Sequence, residues 1–225
     1  MLREVVLDTE TTGLDPAEGH RIVEVAAVEL IDHLPSGRTF QSYLDPERDV
    51  PEEAARVHGL TREFLQGYPT FAEAADEFLA FLGDSPLVIH NAAFDLKFLN
   101  AELARLGREP LPPSRVIDTL ALAQRRFPGA PASLDALCRR FAIDASARTL
   151  HGALLDCQLL AEVYLHLLGG RQTVLGLTLA ARPVVGPVAG PSRRLRTPRP
   201  HAPSPEEEAA HAALVATLVD PVWRR

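Results

Sequence analysis

Val5-Val6-Leu7-Asp8-Thr9-Glu10 is the stretch from which the fold is read. Three consecutive apolar, largely β-branched residues predict a buried strand that ends at Asp8, where polar residues take over. Alternation along an extended backbone puts Asp8 and Glu10 on one face. Two carboxylates converging there suit a hard divalent cation. The pair says little alone. The chain holds 30 acidic residues, and Asp45-Pro46-Glu47 repeats the same spacing. A solvated strand end is the simpler reading of Asp-x-Glu by itself.

Working outward, Ile22 to Leu30 is rich in Val and Ile and reads as a neighbouring strand. Thr39 to Leu44 is a weaker third strand. Pro51, Glu52 and Glu53 open a short helix, with proline and acids in its first turn. Thr70 and Glu73 form a capping box for a helix reaching about Phe81. Leu87 to His90 is a buried strand, a helix runs from about Ala93 to Leu106, and Gly107 stops it. Val116-Ile117 is a last short strand. Helices follow over 119–126, 133–141 and 152–168, and Gly169-Gly170 closes the last. Strands come first as a meander, then alternate with helices. That order predicts an α/β domain built on a mixed sheet flanked by helices.

The 225 residues are 46% hydrophobic and 24% charged, which excludes a disordered or collagen-like chain. Net charge is −7, distributed as +4 over residues 171–225 and −11 over the first 170. A broadly basic nucleic-acid coat is therefore excluded. Cys138 and Cys157 fit neither a disulfide scaffold nor a zinc pattern and read as small buried hydrophobes. Glu4 and Asp8 interrupt the first apolar residues, and no apolar run approaches the roughly 20 residues of a membrane span. A soluble, cytoplasmic protein is expected. Residues 183–205 hold seven prolines, four arginines and no acid, the composition of a linker. Ser204 and Glu206 to Glu208 then open an amphipathic helix reaching about Leu218. The expected organisation is a folded domain over 1–170, a short segment over 171–182, the linker over 183–205, and a helix and tail over 206–225.

Two further clusters carry polar residues. His90-Asn91-Ala92-Ala93-Phe94-Asp95 leaves a buried strand and enters a helix, at the carboxyl edge where α/β sheets place ligands. Helix capping accounts for Asn91 and leaves Phe94 unexplained. His151-Gly152-Ala153-Leu154-Leu155-Asp156 opens the domain's last helix. Asp156 stands among Leu154, Leu155, Leu159, Leu160 and Val163, where a carboxylate is costly unless something pairs with it.

Taken together, the clusters are similar to the DEDDh 3′–5′ exonucleases, a family with a ribonuclease H-like fold. Asp8, Glu10, Asp95 and Asp156 match the family's four acids, and His151 matches the histidine that names the subclass. Thr11-Thr12-Gly13, Val57-His58-Gly59 and Ser133-Leu134-Asp135 agree at the flanks. Cys157 departs from the alanine of many members. The resemblance implies hydrolysis of a 3′-terminal phosphodiester with two Mg²⁺ or Mn²⁺ ions about 3.5–4 Å apart. It implies that Asp8 bridges both ions, Glu10 and Asp156 complete one site, Asp95 supports the other, and His151 is the general base. An imidazole, ordinarily with a pKa of about 6.5, suits that task. The resemblance further implies that Thr11, Leu14, Glu53, Val57, His58, Asn91 and Phe94 contact the terminal nucleotide, with Glu53 on the 3′-hydroxyl. For Val57 the alternative is a core residue. Arg125-Arg126 and Arg139-Arg140 are further candidates, for phosphates.

Within the family the likeness is greatest to members that remove mismatched 3′-terminal deoxynucleotides for bacterial replicative polymerases. That implies single-stranded 3′ DNA as substrate. It implies a sliding clamp held through Gln172, Leu175 and Leu177, and a polymerase catalytic (alpha) subunit held through the tail with Trp223. An RNA-trimming member of the family is the alternative, since the metals contact phosphate and not the 2′-hydroxyl. The proline-rich linker and terminal helix favour the polymerase-associated reading.

Overall fold

The structure is a computed structural model and describes residues 1–146, 150–170 and 202–217. Strands β1 (Arg3–Thr11), β2 (Ile22–Ile31) and β3 (Leu34–Tyr43) form an antiparallel meander. Strands β4 (Leu87–Ile89) and β5 (Val116–Asp118) add to the other edge of β1 in parallel. The sheet order is β3-β2-β1-β4-β5, the mixed sheet expected. β1 runs through Thr11 and does not stop at Asp8, because Asp8, Thr9 and Glu10 stay in register with Ala26, Val25 and Glu24. Ladder pairing overrides the polar side chains there. β3 starts at Leu34, ahead of the expected Thr39. Asp32 and His33 both take positive φ, 49° and 68°, so a two-residue turn joins β2 to β3 without the usual Asn-Gly signal.

Helices cover both faces of the sheet. They are α1 (Glu52–His58), α2 (Arg62–Leu65), α3 (Phe71–Leu82), α4 (Ala92–Arg105), α5 (Thr119–Arg126), α6 (Leu134–Phe141) and α7 (Ala153–Leu167). Of these, the four-residue α2 has no counterpart in the sequence reading. The capping box of Thr70 and Glu73 is formed as expected. Val5, Leu7, Val25, Leu87 and Ile89 face α3 and α4, packing on Phe78, Phe98, Leu99 and Leu103. Val6, Ala26, Val28 and Val88 face α7, against Ala153, Cys157, Leu160 and Tyr164. α5 and α6 pack on the outer side of α7 through Ala123, Leu137, Cys138, Leu159 and Val163. Both cysteines are buried, as expected. α4 and α7 therefore lie on opposite faces of β1, a placement that decides which side chains meet at its carboxyl end.

The chain divides into two compact units, 1–175 and 176–225. In the second, helix α8 (Pro205–Thr217) begins with a reciprocal cap: Glu207 N donates to Ser204 Oγ, and Ser204 N donates to Glu207 Oε2. Its apolar residues, mostly alanines, spread around the helix and form no strong stripe. The expected amphipathic face is thus weak. Gln172, Leu175, Leu177 and Trp223, with most of the 183–205 linker, lie outside the described residues. Among the described residues no helix is long and apolar enough to cross a membrane.

Phe78 is fully buried and contacts both Phe40 and Phe71. Phe78→Ala should lower unfolding free energy by about 3–5 kcal/mol in a denaturant titration, the range for a large core aromatic truncated to alanine.

Candidate active site

Side-chain alternation on β1 distributes its polar residues between two helices. Asp8 and Glu10 point with Val6 toward the α7 side, and Thr9 points with Leu7 toward the α4 side. α4 begins directly after β4, so Asp95 in its first turn reaches the sheet's carboxyl edge. There Thr9 donates its hydroxyl hydrogen to Asp95 Oδ1 at 2.7 Å. Asp156 occupies the first turn of α7 from the opposite face. Ligand atoms of Glu10, His151 and Asp156 all lie within 4.8 Å of one another. His151 Nδ1 stands 3.5 Å from Asp156 Oδ2. The His151 backbone is fixed as well, since its N–H donates to the Val57 carbonyl at 3.0 Å.

Asp8, Glu10, Asp95, Asp156 and His151 thus line one cleft of about 560 Å³. Thr9, His90, Asn91, Phe94 and Asp135 share it, and among the described residues no Lys or Arg lines it. Electrostatics follow from that composition. Burial among protein atoms holds the Asp8 carboxyl well above the usual carboxylate range, and the charges of Asp95, Glu10, Asp156 and Glu24 raise it further. Burial pushes Asp95 up to about 7, against the lowering effect of the Thr9 hydroxyl. Burial, then the charges of Asp8, Asp95, Asp156 and Glu24, raises the Cys157 thiol, which leaves it protonated and inert. Four carboxylates with one imidazole match the ligand preference of hard divalent cations.

A second cavity of about 550 Å³ shares Thr9, Glu10 and Phe94 with the first. Thr11, Leu14, Glu53, Val57 and His58 also line it. All seven expected substrate contacts therefore border one of the two cavities. Leu14 is 78% exposed and Val57 47%, so the core reading of Val57 fails. Asn91 sits at the N-cap of α4 with φ 63°, yet its side chain makes no capping bond. Its backbone N–H donates to Asp118 Oδ1 at 3.2 Å. The arginine pairs lie elsewhere. Arg126 donates to the His166 and Leu167 carbonyls at the end of α7, and Arg140 lies 4.5 Å over the Phe127 ring. Arg125 and Arg139 line neither cavity.

Sequence reasoning passed over Thr9, Glu24, His90 and Asp118. Thr9 was discoverable, because it lies between two acids on a strand and its alternate face must meet something. His90 is held by Thr119 across 29 residues, at 2.9 Å through Nδ1. No local pattern signals such a contact.

A family model described as Exonuclease matches residues 5–164. DNA polymerase III subunit epsilon of Rickettsia conorii is 56% identical over 175 residues, covering 76% of this chain and 76% of that protein. The subunit of the same name from Escherichia coli is 51% identical over 180 residues, covering 76% and 74%. Exonuclease X in complex with 5′ overhanging duplex DNA superposes with TM-score 0.56 at 25% identity, over 73% of this chain and 90% of that one. The nuclease domain of 3′hExo, a DEDDh family member bound to rAMP, gives 0.64 at 22% identity, over 74% and 91%. This last likeness concerns the fold.

The raised carboxyls have a consequence for stability. Between the ordinary aspartate value of about 4 and the folded value of about 7, folded Asp95 keeps a proton that the unfolded chain has released. Stability of the metal-free protein should therefore fall as pH rises through that window. Melting curves in excess chelator from pH 4.5 to 8 check this, and added Mg²⁺ should raise the melting temperature more at pH 8 than at pH 5.

Proposed function

The chain belongs to the exonuclease family, and on that premise we propose that it proofreads DNA as the epsilon-type subunit of a bacterial replicative polymerase III, removing mismatched 3′-terminal nucleotides. The observation that carries the site assignment is the convergence of four acids and one histidine, from β1, α4 and the start of α7, in one cleft. The relatives named DNA polymerase III subunit epsilon, at 56% and 51% identity, support the replicative role.

In this reading Asp8, Glu10, Asp95 and Asp156 hold two divalent cations, Mg²⁺ or Mn²⁺. Bound cations of this kind polarise the phosphate and lower the pKa of an attacking water. Asp95 is held in place for that task by the Thr9 hydroxyl. His151 keeps Nδ1 toward Asp156 and takes the proton of the attacking water at its other ring nitrogen. Its imidazole is 47% exposed, so the proton passes on to solvent. Glu53 accepts the 3′-hydroxyl of the terminal nucleotide. Leu14, Val57 and Phe94 pack on its base and sugar, with Thr11 and His58 bordering the same groove and Asn91 bordering the acidic cleft. The exposed apolar side chains Leu14 and Val57 favour an unpaired base over a stacked duplex end.

Charge suits a partner-delivered substrate. A domain at −11 binds phosphates weakly alone, so a polymerase held through the linker supplies the DNA end at high local concentration. Helix α8 and Trp223 are assigned to the polymerase alpha subunit, and Gln172, Leu175 and Leu177 to the sliding clamp. The protein then acts in the cytoplasm, at the replisome.

The test is release of the 3′ nucleotide from a mismatched primer, a paired primer and an RNA of equal sequence, with Mg²⁺ or with chelator. The mismatched deoxynucleotide should be removed fastest, and only with metal. Asp8→Ala should lose both cation binding and activity. His151→Ala should keep DNA binding and lose about 10²-fold or more in kcat, as removal of a general base does. Wild-type turnover by His151→Ala across pH 6–9 would sink the base assignment. Faster loss of RNA would move the protein to RNA maturation.

A further inference from the structure

Gly152 occupies the N-cap of α7 and has no side chain to satisfy the helix's first free N–H groups. The missing acceptor comes from across the fold. Glu24 on β2 takes the Ala153 N–H on Oε2 at 3.2 Å, spanning 129 residues of sequence. Its Oε1 accepts from Gln41 Nε2 at 2.7 Å, which orients the carboxylate from the neighbouring β3. A strand residue thus does the work that serine or aspartate does in an ordinary N-cap.

The position is an unfavourable one for an acid. Glu24 is 2% exposed and shares its face with Ala26 and Val28, which pack apolar surface on α7. Glu10 stands directly opposite it in the β1–β2 register, and like charges so placed repel. An apolar residue would pack there without these costs. What the acid provides is a fixed start for α7. Asp156 follows Ala153 within that first turn, and His151 comes just before the cap. A second tie, from Cys157 Sγ to the Ala26 carbonyl at 3.4 Å, fixes the next residue to the same strand.

We propose that Glu24 is a positioning residue for the exonuclease reaction. It anchors the first turn of α7 so that Asp156 and His151 stand against Asp8 and Glu10. The inference rests on the functional reading of those four residues given above.

Glu24→Ala and Glu24→Gln in the full chain separate the possibilities, each read by kcat, KM for the DNA end, Mg²⁺ half-saturation and amide exchange at Ala153. Glu24→Ala should lower kcat by about 10²-fold, the effect of a displacement near 1 Å in the reacting groups, and raise the Mg²⁺ requirement. KM for DNA should change little, and the Ala153 amide should exchange faster. Glu24→Gln should recover most of the kcat. Its carbonyl still accepts from Ala153, and its NH₂ donates to Gln41 once that amide flips. If Glu24→Gln is as defective as Glu24→Ala while Ala153 stays protected, Glu24 acts through its charge and the proposal fails. It also fails if Glu24→Ala melts lower but keeps wild-type kcat and Mg²⁺ dependence, since the role is then merely structural. A wild-type protein inactive on every 3′ end would overturn the functional reading instead. In that event unchanged Ala153 protection in Glu24→Ala would still overturn the anchor.

Discussion

Asp8, Glu10, Asp95 and Asp156 bring like charges into one cleft, and Glu24 adds another on the adjoining strand. Such a set opposes folding, because each carboxylate is stripped of water and repelled by the others. The protein answers in two ways. Some of the acids keep their protons more tightly, as the raised Asp8 and Asp95 carboxyls do. The rest of the structure holds the set together by packing that does not involve the acids. Aromatic and aliphatic side chains fill both faces of the sheet immediately behind the cleft. Among the described residues the cleft offers these acids no Lys or Arg as partner. This is the arrangement expected of a site that receives its positive charge from outside.

Precision at the cleft comes from bonds between distant elements. Thr9 holds Asp95, Glu24 holds the start of α7, and the Val57 carbonyl holds the His151 backbone. This last bond joins two functions. α1 carries Glu53 and Val57, which border the groove assigned to the nucleotide, and its final turn also fixes the backbone of the assigned base. In the proposed reading a nucleotide seated on α1 would act on the same element that steadies His151. The neighbouring turn is tight: a Cβ on Gly59 would stand 2.7 Å from Leu150 Cδ1, and φ there is +78°.

Much of the fold was legible locally. Apolar runs marked the strands, and Thr70 with Glu73, Ser133 and Gly107 marked helix ends that the structure keeps. The misreadings have physical causes. β1 outlasts its apolar residues because strand pairing does not depend on side-chain polarity. β3 starts early because Asp32 and His33 adopt a turn conformation that their types only weakly favour. Val57 has the composition of a core residue but lies open beside the groove. Arg126 and Arg140, candidates for phosphate contact from sequence, are occupied with helix-end carbonyls and a phenyl ring.

The sequence alone determined the chemistry of the site: the acid and imidazole types, their spacing, and the alternation that sends Asp8 and Glu10 to one side. These are local properties, set by backbone periodicity and residue identity. Only the tertiary structure decided which of the chain's 30 acids meet, since α4 and α7 approach β1 from opposite faces and converge at its carboxyl end. It alone gave Glu24 a role. Contacts that span 129 residues arise from packing three elements together, and no stretch of chain encodes them by itself.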